Sequence, residues 1–216
     1  MPTSDRTIGR LSLYRRLLSS LLADGIKNTF SHQLAALAGV TAAQVRRDLM
    51  VIGYSGTTKR GYQVQELIGS IAQFLDAPSG QAVALVGVGN LGRAILSYFA
   101  GRRPHLSIVA AFDNDPQKTG RVIHGCHCYG LDDLPAVVAR EDIHVGVITV
   151  PAMAAQAVAE MLVGAGARGL LNFAPVRLRV PHHTFVEDID MTMSLEKVAF
   201  FARKGRAVNV QKEVLS

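Results

Sequence analysis

Cysteine is nearly absent from this 216-residue sequence: only Cys126 and Cys128 occur, separated by one residue. On a strand both side chains point to one face, and that spacing is poor geometry for an ordinary disulfide. His124 and His127 lie beside them, so H-x-C-H-C could be imagined as a metal site. Structural zinc usually draws on two separated ligand pairs, and His182-His183 is a distant, unsupported second pair. The plainer reading is two small strand residues and no metal. Long apolar runs are missing as well. No stretch of 18 or more uncharged apolar residues appears, which argues against a membrane span. The opening M-P-T-S-D-R-T-I-G-R lacks the apolar segment of a secretion signal, so a cytoplasmic location is expected. Acids are scarce at the front. Residues 1–62 hold three of them (Asp5, Asp24, Asp48) against nine Lys/Arg, while the remaining 154 residues hold 14 of each sign. The net charge of +6 therefore sits on the first segment, which suits a polyanionic partner.

What is present divides in two. An apolar fraction of 49% fits a well-buried chain long enough for one large or two modest domains. In the first segment Tyr14, Leu17, Leu18, Leu21 and Leu22 recur at spacings of three and four. They predict an amphipathic helix over 8–23 with Arg10, Arg15 and Arg16 interspersed, stopped at Asp24-Gly25. Ser31 is a fair cap for a short helix, His32 to Ala38, buried through Leu34, Ala35 and Leu37. Gly39 supplies a turn, and Thr41 caps a third helix to about Met50 with Val45 and Leu49 inward. Helix, glycine turn, helix is the helix-turn-helix pattern. Gln44, Arg46, Arg47 and Asp48 fall mainly on the polar side of the third helix. Arg can there pair with guanine and Gln with adenine. The following G-Y-S-G-T-T-K-R-G-Y reads as a hairpin wing whose Lys59 and Arg60 touch phosphates or reach a groove. A basic helix is often only a solvated face; the charge asymmetry and the adjoining basic wing favour DNA.

Residues 63–75 predict a further helix, and Asp76-Ala77-Pro78-Ser79-Gly80 a domain boundary. Ala82 to Val86 then forms a strand that runs into Gly87-Val88-Gly89-Asn90-Leu91-Gly92. Gly87 allows the tight turn, Gly89 lets backbone approach a pyrophosphate, and Gly92 lets the helix over Asn90–Phe99 pack on the strand. The N-terminus of that helix points free N–H groups at the pyrophosphate. Leu106 to Phe112 is the next strand. It ends at Asp113, twenty-one positions after Gly92, where a carboxylate can accept from both ribose hydroxyls. Asn114 and Asp115 offer no cation for a 2′-phosphate, so NAD(H) is favoured over NADP(H). Val145 to Val150 and Gly169 to Phe173 read as buried parallel strands, with an apolar helix, Ala152 to Val163, between them. Their ends, Thr149-Val150-Pro151 and Asn172-Phe173-Ala174-Pro175, fall at the carboxyl edge where ligands bind. Ser194 to about Arg203 forms a last amphipathic helix, and 205–216 a loose tail.

With both halves read, the chain closely resembles the Rex family of redox-sensing bacterial transcriptional repressors over roughly residues 8–203. The most specific stretches are V-T-A-A-Q-V-R-R-D-L (40–49), K-R-G-Y-Q-V (59–64), V-G-V-G-N-L-G-R-A (86–94), A-F-D-N-D-P-Q-K-T-G (111–120), T-V-P-A-M-A-A-Q (149–156) and L-N-F-A-P-V (171–176). The resemblance implies an α/β protein. A winged-helix DNA-binding domain over 1–76 precedes a Rossmann-type parallel-sheet domain over 81–193, with a C-terminal helix over 194–204 exchanged between the subunits of a homodimer. It implies binding to a palindromic operator when NADH is scarce and release when NADH accumulates. Gly87, Gly89, Gly92 and Asp113 match the nucleotide motif, and Gln44, Arg46, Arg47, Lys59 and Arg60 the DNA motif. Arg16, Tyr98 and Asp190 resemble a polar set near the interface between the two domains. One departure concerns the wing: the family usually carries an aromatic pair where this chain has Met50-Val51-Ile52-Gly53-Tyr54, and its K-R-G-Y is shortened, so an operator sequence different from the family norm is expected.

NAD⁺ and NADH differ chiefly by a positive charge on the nicotinamide ring, and burying a lone cation is costly. An apolar pocket of Phe112, Val150, Pro151 and Ala174 would prefer the reduced ring, with NAD⁺ the weaker ligand. Two rivals stand beside this reading. An NAD-dependent oxidoreductase would use the same fold, yet no substrate domain and no catalytic pairing are in sight. A CoA-binding module would use the same turn, but Asp113 fits a free ribose diol better than a 3′-phosphorylated one.

Overall fold

The computed structural model describes residues 3–57, 60–101 and 105–213, with side chains to Arg203. They form two compact units that divide between Ser79 and Gly80.

The first unit begins with α1 (Asp5–Ala23), capped by Ser4, whose Oγ accepts from the Thr7 N–H at 3.2 Å. Strand β1 (Asn28–Thr29) precedes α2 (Ser31–Ala38) and α3 (Ala42–Val51); β2 (Tyr62–Gln63) pairs antiparallel with β1 and leads into α4 (Val64–Leu75). Two caps match the sequence expectation. Gly39 ends α2 in the left-handed region at φ 67°, and Thr41 accepts from the Gln44 N–H at 3.1 Å. Leu11, Tyr14 and Leu18 from α1 meet Leu34, Val45, Leu49, Leu67 and Ile71 in one core. Leu37 is not among them: it is 52% exposed, because α2 turns only its Leu34 and Ala35 face inward.

The second unit is a seven-stranded sheet in the order β5-β6-β4-β3-β7-β8-β9. Its strands are β3 (Gln81–Val86), β4 (Leu106–Phe112), β5 (Val122–Ile123), β6 (Cys126–Tyr129), β7 (Val145–Ile148), β8 (Gly169–Asn172) and β9 (Phe185–Asp188). All neighbours run parallel except β5 against β6. Central β3 carries β4 on one side and β7 on the other, so the strand order reverses there. That reversal opens a crevice at the carboxyl edge. Between the strands lie α5 (Asn90–Phe99), α6 (Leu134–Arg140) and α7 (Ala152–Gly164); α8 (Met191–Glu213) follows the last. One sheet face buries Val86, Phe112 and Ile148 with residues of α6 and α7; the other buries Val83, Leu85 and Val147 with Ile95 and Leu96 of α5.

The last helix departs from expectation at both ends. It starts three residues before Ser194, because Asp190 Oδ1 accepts from the Met193 N–H at 2.8 Å and caps it there. Helical backbone continues to Glu213, where a loose tail over 205–216 is the sequence expectation; Arg206, Ala207, Gln211, Lys212 and Glu213 in that stretch are good helix formers. No helix among the described residues is long and apolar enough to cross a membrane.

Candidate nucleotide and nucleic-acid sites

The turn after β3 is tightly specified. Gly87 has φ 99°, and a Cβ on it would lie 2.7 Å from the Thr149 carbonyl oxygen, so only glycine fits. A Cβ on Gly92 would collide with the Gly87 carbonyl oxygen, whereas one on Gly89 would meet nothing within 4 Å. The first helical turn of α5 is thus drawn against β3 while the backbone at Gly89 lies open. Thr149, just past β7, locks the crevice: its Oγ1 donates to Val86 O at 3.0 Å and Gly87 O at 2.7 Å. Val150 is half-buried and Pro151 exposed beside it; Phe173 is half-buried after β8. Asn90 and Asn114 are exposed, Leu91 half-buried and Val88 buried.

Asp113 is buried and fully engaged. Oδ2 accepts from the Val88 N–H at 2.7 Å and from Lys118 Nζ at 3.1 Å, and Oδ1 accepts from the Asp115 N–H at 2.9 Å. Burial alone would raise this carboxyl, but the bonds from Asp115, Lys118 and Val88 together hold it below its ordinary value. Lys118 corrects the sequence reading, which looked for a cation only at Asn114 and Asp115. Its ammonium also stands 3.5 Å from Asp115 Oδ2.

The apolar lining also needs correction. Phe112 is fully buried and packs on Tyr129 at 5.8 Å between ring centres. The alternation of β4 sends it into the core under α6 and α7, so it lines no crevice. Past β8 a cavity of about 210 Å³ is lined by Ala174 to Arg177, Asp188 to Asp190 and Met193. This edge is more polar than the strand ends suggested. Asn172 holds it: Nδ2 donates to Ala174 O, Val176 O and Asp188 Oδ1, and Oδ1 accepts from the Ala174 N–H. Its signal was legible as a lone amide in an apolar strand, since buried polar groups are bonded.

Cys126 and Cys128 are buried on β6. Burial, then the neighbouring Cys128, pushes the Cys126 thiol up to about 11; it is a protonated thiol near neutral pH. Among the described residues no three His, Cys, Asp or Glu side chains cluster as metal ligands.

In the first unit α3 presents Arg46 and Arg47 outward, both exposed. Arg46 Nη1 donates to Ser31 Oγ at 3.2 Å beside a cavity of about 280 Å³ lined by Phe30, Gly56, Thr57, Gly61 and Tyr62. Arg60 is exposed, with its N–H on Thr57 Oγ1 at 3.1 Å; Lys59 lies outside the described residues. Asp48 is not on the polar surface as expected. It is 1% exposed and accepts from Arg10 Nε at 2.6 Å, Arg10 Nη2 at 2.7 Å, the Tyr14 hydroxyl at 2.9 Å and Gln44 Nε2 at 2.8 Å. Gln44 therefore spends its amide within the protein. Of the three residues grouped as an interdomain set, Arg16 is exposed on α1, Tyr98 is 59% exposed on α5 with its ring edge-on to Phe99, and Asp190 caps α8.

Family profiles match both halves. The one described as "Putative DNA-binding protein N-terminus" covers residues 3–49, and "CoA binding domain" covers 79–176. A redox-sensing transcriptional repressor Rex from Syntrophobacter fumaroxidans is 42% identical over 200 residues, spanning 92% of this chain and 95% of its own. The chain belongs to the Rex family. A second Rex, from Carboxydothermus hydrogenoformans, is 41% identical over 93% of this chain and 96% of its own. Among solved structures, RSP, a Rex-family repressor, superposes with TM-score 0.85 at 30% identity, over 98% of this chain and 99% of its own. RSP has also been crystallised with β-NAD⁺ and operator DNA (TM-score 0.86) and with β-NADH (TM-score 0.84). The Rex assignment makes the glycine turn and the helix-turn-helix parts of one regulator.

Proposed function

We propose that this Rex protein represses transcription by holding a palindromic operator when NADH is scarce and releasing it when NADH occupies the turn after β3. One observation carries the reading: a nucleotide-type turn with a buried acid beside it shares a chain with a helix-turn-helix that presents exposed cations. Gly87, Val88, Gly89, Asn90, Leu91 and Gly92 are proposed to cradle the pyrophosphate, with Asp113 and Asn114 on the ribose side. Thr149, Val150, Pro151 and Phe173 are proposed to face the nicotinamide. There a neutral ring is accommodated more cheaply than a cationic one, so NADH binds more tightly than NAD⁺. Arg46, Arg47, Lys59 and Arg60 serve DNA, and Gln44 does so only by giving up Asp48. Arg16, Tyr98 and Asp190 are proposed to exchange contacts between the two states. The chain works as a regulator with no catalytic residues of its own, in the cytoplasm.

A homodimer fits both a palindrome and the second unit's surface. Val83, Phe99, Leu106, Ile108, Val145, Val147 and Leu171 line a wholly apolar hollow on the sheet face that carries α5. On α8, Leu195, Val198 and Phe201 are each at least 66% exposed. Exchange of α8 between subunits would cover the two surfaces together.

The test is retention of palindromic DNA on a gel, alone and with NADH, NAD⁺ or CoA, with the mass of the complex from sedimentation. Two chains per site and release by NADH at far lower concentration than NAD⁺ are expected. Release by CoA but not NADH would favour the CoA-binding reading; no ligand effect would remove the sensor.

A further inference from the structure

Three of the charges beside the turn, Asp113, Asp115 and Lys118, divide their work unequally. Asp113 is 6% exposed, its oxygens are engaged by Val88, Asp115 and Lys118, and it pins the turn to the end of β4. Asp115 is different: its side chain is 38% exposed, Oδ1 accepts the Gln117 N–H at 2.9 Å, and Oδ2 faces Lys118 at 3.5 Å. Lys118, 23% exposed, bridges both carboxylates. These three side chains together carry one net negative charge, and their most exposed member is Asp115.

Building on the nucleotide reading above, we propose that Asp115 is the residue that excludes a 2′-phosphorylated dinucleotide, and that Lys118 is a latent phosphate ligand which Asp115 and Asp113 keep neutralised. Asp113, on the ribose side, also positions the turn through its bonds to Val88 and Asp115. A 2′-phosphate on the adenosine ribose approaches this edge of the sheet. It meets the exposed carboxylate of Asp115 before the ammonium behind it, and like charges at such range repel. Removing the Asp115 charge leaves one carboxylate and one ammonium, a neutral pair whose partly exposed cation can turn to a phosphate. Discrimination against NADPH then rests largely on a single surface charge and is weakened by one substitution.

Full-length wild type, Asp115→Asn, Asp113→Asn and the double variant Asp115→Asn/Lys118→Gln are titrated with NADH and with NADPH, following the emission of the reduced nicotinamide. Thermal midpoints are measured alongside. Asp115→Asn is expected to raise NADPH affinity about tenfold while changing NADH affinity less than about threefold. The added Lys118→Gln is expected to abolish the gain, and Asp113→Asn to weaken both ligands together. An unchanged NADPH-to-NADH ratio in Asp115→Asn, an equal loss of both, or a gain that survives Lys118→Gln overturns the assignment. A wild type that binds neither dinucleotide overturns the nucleotide reading itself, a result distinct from these.

Discussion

Asp48 stands on the helix proposed to read DNA, yet its carboxylate serves α1. Arg10, Tyr14 and Gln44 supply four hydrogen bonds to it from two helices. Burial would raise this carboxyl, but bonds from Arg10, Gln44 and Tyr14 hold it below its ordinary 3.8. Tyr14, buried and facing the same carboxylate, is raised in turn. Lowering a carboxyl in the folded state gives stability that is present above its unfolded value and is lost as pH falls through the native one. Replacing Asp48 by Ala leaves the Arg10 guanidinium without its anion beside the core, at a cost of about 3 kcal/mol. The first unit should then melt more than about 10 °C lower, followed by circular dichroism, and lose most of its extra sensitivity between pH 5 and 3. An unshifted midpoint would mean that the cluster is ornamental. Asp48 was not legible from periodicity, because helical pattern tracks apolar residues and Asp48 is buried through bonds. Lys118 was hidden for a related reason: its side chain reaches across a turn, which no repeat records.

At the scale of elements, the strand–turn–helix from Gln81 to Phe99 was legible almost residue by residue, since glycine spacing reports where backbone must approach backbone. The same holds for α2 and α3, whose Gly39 and Thr41 mark the turn between them. What escaped were the pieces with little apolar signal. Strand β9 is F-V-E-D at the sheet edge, half charged as edge strands are. Helix α6 has seven residues with Pro135 in its first turn, too short to show a period. Because the turn is a packed joint, a single methyl group probes it. Gly92→Ala places a carbon where the Gly87 carbonyl oxygen lies, and α5 must move off β3 at a cost of about 1–3 kcal/mol. NADH affinity should fall at least about tenfold, measured by fluorescence titration. The operator should still be retained on a gel but no longer released. Unimpaired NADH binding in this variant would place the ligand elsewhere.

For the whole molecule, charge separates the two tasks. The front segment carries the surplus, although Arg10 and Arg15 are already paired, the latter with Asp76 at 2.7 Å. Among the segment's described residues Arg6, Arg16, Lys27, Arg46, Arg47 and Arg60 are left exposed, and the last three are the ones proposed, with Lys59, to meet DNA. The second unit presents backbone N–H groups at its turn, within a segment of balanced charge. Salt should therefore act on one ligand and spare the other. Contacts to DNA phosphates release counterions, so the logarithm of operator affinity falls with that of salt at about −0.9 per neutralised phosphate. A dimer using the four proposed cations per chain should give a slope of about −7, read by fluorescence anisotropy of labelled operator between 50 and 200 mM salt. Over the same range NADH affinity should change less than about threefold, because hydrogen bonds from backbone amides are little screened when buried. A shallow slope for the operator would mean that the basic front end is only a solvated surface. A steep one for NADH would mean that side-chain cations, and not the turn after β3, hold the dinucleotide.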